Sequence, residues 1–288
     1  MRSINGHAMY NLATMEDNQE IPGFDHQFPD LNGFILQLVD LYSAGKINSW
    51  DALEERVDEF FIPRRMDEME LLVPHWCKMA SYANRRTLVH VMCVFMGMLR
   101  MSEFLSVSTS RQQIMKWIIL FHDVEKEIPD GKRDHTHAFR SAVGAARTLP
   151  QLGFFVTQEY KSIIDDWDQF TRSALKTDEK SAEIIQDNRK LPKILDGIDQ
   201  MFGQNTAGAL IIKTILFHLS VDMNFWPPAS PLTKEEVKEY FNPELTSLLQ
   251  IMNLGDNDGW NIFKPDIWEP ARVDTLKVFE EIEKLISQ

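Results

Sequence analysis

Apolar residues return every three or four positions in one segment after another, and nowhere do they alternate over a strand-length run bounded by hairpin turns. A chain patterned this way buries one stripe of each segment by packing helix on helix, so an all-α fold is expected. The first segment runs from Leu31 to Tyr42, with Phe34, Ile35, Leu38, Val39 and Leu41 at helical spacing, and Gly45 closes it. Ser49-Trp50-Asp51-Ala52 opens a second, which reaches Phe61 ahead of Pro63. Asp67 to Ala83 reads as a third, kinked or split at Pro74, where a backbone donor is missing.

Four later segments matter more. Arg86 to Arg100 is apolar nearly all round, as a buried central helix would be. Gln112 to about Lys126 carries Trp117-Ile118-Ile119-Leu120-Phe121 at its heart. Thr136 to Leu149 is rich in small residues and stops at Pro150, and Ala207 to Phe225 is halted by Pro227-Pro228. Glu159–Leu175 and Ser181–Phe202 add helices between them, and the tail adds Lys234–Tyr240, Glu244–Met252 and Val273–Ile286. Residues 1–30, polar and broken by Pro22-Gly23 and Pro29, read as an irregular arm. Residues 31–230 then form the main helical domain, with 231–288 a helical tail packed on it. Asp256-Asn257-Asp258-Gly259 in that tail is too short and irregular for a calcium loop and reads as a surface turn.

Composition narrows the class of function. With 288 residues, 44% hydrophobic and 25% charged, the chain can build one large core. A net charge of −13 and a pI near 5.1 lack the basic footprint of a general nucleic-acid binder, although a local cluster of Lys and Arg can still hold a small anion. Two cysteines, Cys77 and Cys93, exclude a disulfide framework and a four-cysteine zinc site, and suit free thiols in a reducing compartment. The first twenty residues do not read as a signal peptide, and no stretch approaches the roughly 20 apolar residues of a membrane span. A cytoplasmic protein without a membrane partner is expected.

The chemistry sits where polar residues interrupt these apolar segments. His90 shares a helical stripe with Cys93, Val94 and Gly97, small neighbours that admit either a close helix crossing or a metal site. His122-Asp123 directly follows Trp117–Phe121; an imidazole beside a carboxylate suits a divalent transition metal, whereas the same pair buried without one is costly. Lys126 falls on the same face and suggests an anionic substrate between it and the metal. Asp134-His135-Thr136-His137 precedes the small-residue helix; His137, and less directly His135, can line the site, while Asp134 or Thr136 caps the helix. Arg86, Lys132, Arg133 and Arg140 supply nearby positive charge.

His90, then His122-Asp123 in FHDVEK, then Asp222 in LFHLSVD resembles the H…HD…D signature of the HD-domain superfamily of metal-dependent phosphohydrolases. RRTLVHVMCVF, WIILFHDVEKEIP and HAFRSAVGAARTLPQLGF are each similar to segments of that family, with Ala138 standing where its glutamate is usual. The resemblance implies an HD-like helical bundle whose divalent ion (Mn, Fe, Zn, Mg or Co) is held by His90, His122, Asp123 and Asp222. It further implies hydrolysis of a nucleotide or related small phosphate ester, with Asp123 orienting the attacking water and Lys126 meeting phosphoryl oxygens. Arg86, Lys132, Arg133, His137 and Arg140 would then contact the substrate. Members with two metals carry a further histidine after the small-residue helix, where this chain offers only Asp165, Asp166 and Asp168. A di-iron oxygenase of the same fold, using His135, His137 or His218 as added ligands, is one alternative, and an inactive helical binding protein is another. For the distal carboxylate, Asp222 is preferred to Asp199: its helix is the more apolar, and His218 lies one turn earlier.

Overall fold

A computed structural model describes residues 21–81, 85–127, 134–177, 184–225 and 227–288. The fold is all-α, as the periodicity requires. At the N-terminal side lie α1 (Phe24–Gln27), α2 (Pro29–Ser43), α3 (Trp50–Phe60), α4 (Pro63–Leu72) and α5 (Trp76–Met79). The centre follows with α6 (Arg85–Met98), α7 (Ser102–Ser106), α8 (Thr109–Phe121), α9 (His137–Thr148) and α10 (Tyr160–Arg172). After a two-stranded ribbon come α11 (Leu191–Phe202), α12 (Ala207–Phe217), α13 (Lys234–Tyr240), α14 (Pro243–Asn261) and α15 (Pro265–Ile286). No helix among the described residues is long and apolar enough to cross a membrane.

Three helices make the core. α6 is buried from Thr87 to Met98, α8 buries Ile114, Met115 and Trp117 to Phe121, and α12 is buried from Ala207 to Ile212 and from Thr214 to Phe217. Around them, α9 packs on α12, α14 packs on α6, α8 and α12, and α2, α3 and α5 cover the other side of α6. Pro74 does split the third segment, into α4 and α5. The arm is less irregular than its composition predicts. Residues 1–20 lie outside the described residues, but Phe24 is fully buried against Phe95 and Trp117, its N–H donating to Gln113 Oε1.

Several expected helices differ in length, and three of the differences bear on the site. α8 ends at Phe121, and His122 to Glu125 form a turn in which Lys126 N–H donates to the Asp123 carbonyl at 2.9 Å. α12 ends at Phe217, eight residues short of the expected Phe225. There Ser220 N–H turns back to the Phe217 carbonyl, and the Ser220 carbonyl accepts from Leu232. The buried Gln186 amide holds this turn by donating to Ser220 Oγ and to the Ser230 carbonyl. That anchor belongs to an antiparallel ribbon, β1 (Leu175–Thr177) with β2 (Ile184–Gln186), in which Lys176 faces Ile185 and whose second strand stands where helix was expected.

The third difference matters most. α14 is 19 residues long and runs straight through Asp256-Asn257-Asp258-Gly259, the presumed surface turn. Asn242 caps it by accepting from Leu245 N–H, and Pro243 takes the first-turn position where no donor is needed. Its glycines face α6. A Cβ on Gly259 would lie 2.4 Å from Val94 Cγ2 and 2.6 Å from His90 Cε1, and one on Gly97 would lie 2.7 Å from Asp258 Cβ. Glycine here serves close approach between two helices, so the chain keeps it despite its poor helix propensity.

Candidate metal centre

Five elements meet at one place. α6 brings His90, the turn after α8 brings His122 and Asp123, the start of α9 brings His137, the residue after α12 is His218, and α14 brings Asp256. His90, His122, Asp123, His137 and His218 are each at most 3% exposed. Their side chains form two adjoining triads that can each hold a metal ion. One is His90, His122 and Asp256; the other is Asp123, His137 and His218. Within each, the ligand atoms lie within 4.8 Å of one another. The His122-Asp123 dipeptide joins the two.

Three of the four imidazoles share one local device. His122 Nδ1 lies 2.8 Å from the Ile119 carbonyl, His137 Nδ1 2.7 Å from that of Asp134, and His218 Nδ1 2.6 Å from that of Ile215. In each case the carbonyl is three residues upstream, left over by a helix end or turn. A carbonyl can only accept, so Nδ1 must carry the proton and Nε2 is left with its lone pair. Histidines that bind metals are oriented in just this manner.

Four of the donor atoms also lack a hydrogen bond, while His137 Nε2 and His218 Nε2 lie 3.3 Å apart. His90 Nε2, His122 Nε2, Asp123 Oδ1 and Asp256 Oδ1 are buried, and none has a hydrogen bond among the described residues. Yet they crowd together: His90 Nε2 is 2.8 Å from Asp256 Oδ1, and His137 Nε2 is 2.7 Å from Asp123 Oδ1. Buried polar atoms are normally satisfied. Nitrogen and oxygen donors crowded at common points fit a divalent transition ion, which takes both kinds of ligand.

Protonation follows from the surroundings. Burial first, then the neighbouring His137 and His122 rings, pushes His218 down to about 3, and burial likewise lowers His122. Both are neutral near pH 7, the state a metal ligand needs. For Asp123, burial acts to raise the carboxyl, but Lys126, His122 and His137 together hold it well below the carboxylate range. Lys126 Nζ sits 2.6 Å from Asp123 Oδ2 and 5.1 Å from the Trp260 ring centre. Asp256 is held low in the same way, with His90 and His122 overcoming burial. The Trp260 ring lies over His90 at 4.1 Å and 17° and closes that side.

The triads open on a cavity of about 440 Å³, within the size of a small-molecule site. Lys126, His135, Asn257, Trp260, Asn261 and Lys264 line it, together with the apolar Leu219, Val221, Met223 and Pro228. No family model, no curated protein and no solved structure matches this chain. The site is therefore read from its own residues.

Of the residues singled out in the sequence, His90, His122, Asp123, Lys126 and His137 converge. Asp222 does not. It is exposed, because α12 stops before reaching it and the one-turn relation to His218 is lost. Asp199 is not the distal carboxylate either; it pairs with Lys213 at 2.7 Å on the flank. Asp256 takes that place. His137 stands among the candidate ligands rather than with substrate contacts, and His218 joins it.

Arg140 is spent inside the protein, bonded to Asp134, to Thr136 Oγ1 and to the Glu125 carbonyl. Asp134 is the anchor of that turn, accepting also from Glu127 and Thr136 N–H. Arg86 lines a separate recess with Trp50 and Val89, beyond Trp260. Asp165 and Asp168 pair with Arg147 on the surface. Lys132 and Arg133 lie outside the described residues.

Proposed function

We propose that this chain is a metal-dependent phosphoric ester hydrolase of the HD-domain type, with a two-ion centre. The observation that carries the reading is the shared device of His122, His137 and His218, each Nδ1 fixed on a carbonyl and each Nε2 turned to a triad. A divalent ion in such a centre would polarise a phosphoryl oxygen and bring the pKa of a water towards about 7. Asp123, kept ionised by Lys126, can take part in both triads. Lys126 reaches from Asp123 to the cavity wall, where an ammonium can meet non-bridging phosphate oxygens. Trp260 shields His90 from solvent. The cavity suits a small anionic ester rather than a polymer.

The test begins with metal analysis of the purified protein. It continues with phosphate release from nucleotides, sugar phosphates and aryl phosphodiesters in the presence of Mn, Fe, Zn, Mg or Co. Two metal equivalents with ester cleavage are expected. The second reading, a di-iron oxygenase, is favoured by His137 and His218, the added histidines such chemistry uses. Stoichiometric iron with oxygen consumption and no hydrolysis would select it.

A further inference from the structure

One wall of the cavity is built by a single face of α14. Asn253, Asn257 and Asn261 all line it, each four residues from the next, and Lys264, beyond the end of the helix, lines the cavity as well. The three amides span about 12 Å along the helix, at 1.5 Å per residue. Asn257 and Asn261 are buried to more than nine-tenths.

The hydrogen bonds among these amides decide what each can still offer. Asn261 Nδ2 donates to Asn257 Oδ1 at 3.0 Å, and Asn253 Nδ2 donates to the Leu249 carbonyl of its own helix at 2.9 Å. Asn257 thus has its oxygen engaged, and its Nδ2 is buried without a hydrogen-bond partner. Asn253 and Asn261 have their nitrogens engaged and keep carbonyl oxygens. The face therefore alternates acceptor, donor, acceptor. An unpaired buried amide is costly unless a ligand completes it.

We infer that this ladder recognises a hydroxyl-bearing, sugar-like carbon skeleton in the substrate, with Asn257 as the residue that sets specificity. The inference rests on the hydrolase reading for the phosphate that such a skeleton would carry. A hydroxyl both donates and accepts, which matches an alternating wall. The amide stretch itself gives a second phosphate no charge to pair with: the three amides are neutral, Asp256, one residue before Asn257, would repel an anion, and the cation Lys264 lies beyond the helix. Leu219, Val221, Met223 and Pro228, which also line the cavity, suit the C–H face of such a skeleton, and Lys126 receives the phosphate.

The experiment measures binding and turnover separately on the full chain loaded with Mn. Ribose 5-phosphate and propyl phosphate, which lacks hydroxyls, are titrated calorimetrically, and phosphate release is followed in parallel. Ribose 5-phosphate should bind roughly tenfold tighter or more, the worth of one or two satisfied buried donors. Asn257→Ala should bring that ratio close to one, and Asn257→Asp, which keeps the shape but replaces the donor, should do the same. Equal binding of the two phosphates by the natural chain overturns the inference whether or not either variant folds. An unchanged ratio in a folded variant overturns it too. Asn257-dependent binding without phosphate release would uphold the ladder and sink the hydrolase reading. Equal affinity with efficient cleavage of both esters would do the reverse.

Discussion

The side chains at the centre differ sharply in what their removal should do. Asp256→Ala takes a ligand from the first triad and leaves His90 Nε2 without its nearest neighbour, so bound metal should fall while helical circular dichroism persists. Asp222→Ala, at an exposed position, should leave metal content as it is; the opposite pattern would return the distal role to Asp222. Lys126 is predicted to act on substrate. Lys126→Ala should lower kcat on the order of 10²-fold, with metal retained because no triad atom is lost. Unchanged turnover would reduce Lys126 to a charge partner of Asp123. At this scale the sequence disclosed His90, His122, Asp123 and Lys126, since a polar residue inside an apolar run or directly after one announces itself. Asp256 stayed hidden because its neighbours Asn257 and Asp258 gave the segment the look of a solvated turn, although both are buried.

Helix limits explain the other misreading. α8 and α12 end on a histidine whose ring takes the carbonyl three residues back, and hydropathy alone cannot tell a helix that continues from one that turns there. Ser220 and the distant Gln186 fix the second ending, through a contact that local pattern does not contain. The tail did carry one signal. Gly255 and Gly259 lie four apart beyond the apolar run that ends at Leu254, as a close crossing requires, and Gly97 sits on the partner helix. Gly259→Ala tests that crossing. Its Cβ would overlap Val94 and His90, so a loss of about 1–3 kcal/mol is expected. The displaced α14 should carry Asp256 away and lower metal content with it. Thermal unfolding and metal analysis on one sample decide this; lost stability with full metal occupancy would separate the crossing from the centre.

Two predictions concern the molecule as a unit. Asp258 is buried between α6 and α14, accepts from the Trp268 indole, and is pushed up to about 6, chiefly by burial. A carboxyl raised on folding contributes stability fully below its ordinary value of 3.8 and loses it as pH rises through about 6. At higher pH the charged form is a cost. Asp258→Asn should therefore gain stability over the natural chain on going from about pH 5 to about pH 8, by on the order of 1–3 kcal/mol. A constant difference across that range would contradict it. Chelation should also lower the unfolding temperature, because ligand binding only to the native state adds about 2.7 kcal/mol at a hundredfold excess over Kd. An unmoved transition would mean that the two triads hold no ion.

The two triads are not equal in the order of the chain. Asp123, His137 and His218 are all present once α12 has been made, whereas the first triad waits for Asp256 in α14. On the ribosome, then, one half of the centre can close while the other still lacks its carboxylate. For the proposed two-ion centre this would set an order: an ion beside His137 and His218 could enter first, and a second only when the tail lies down on α6.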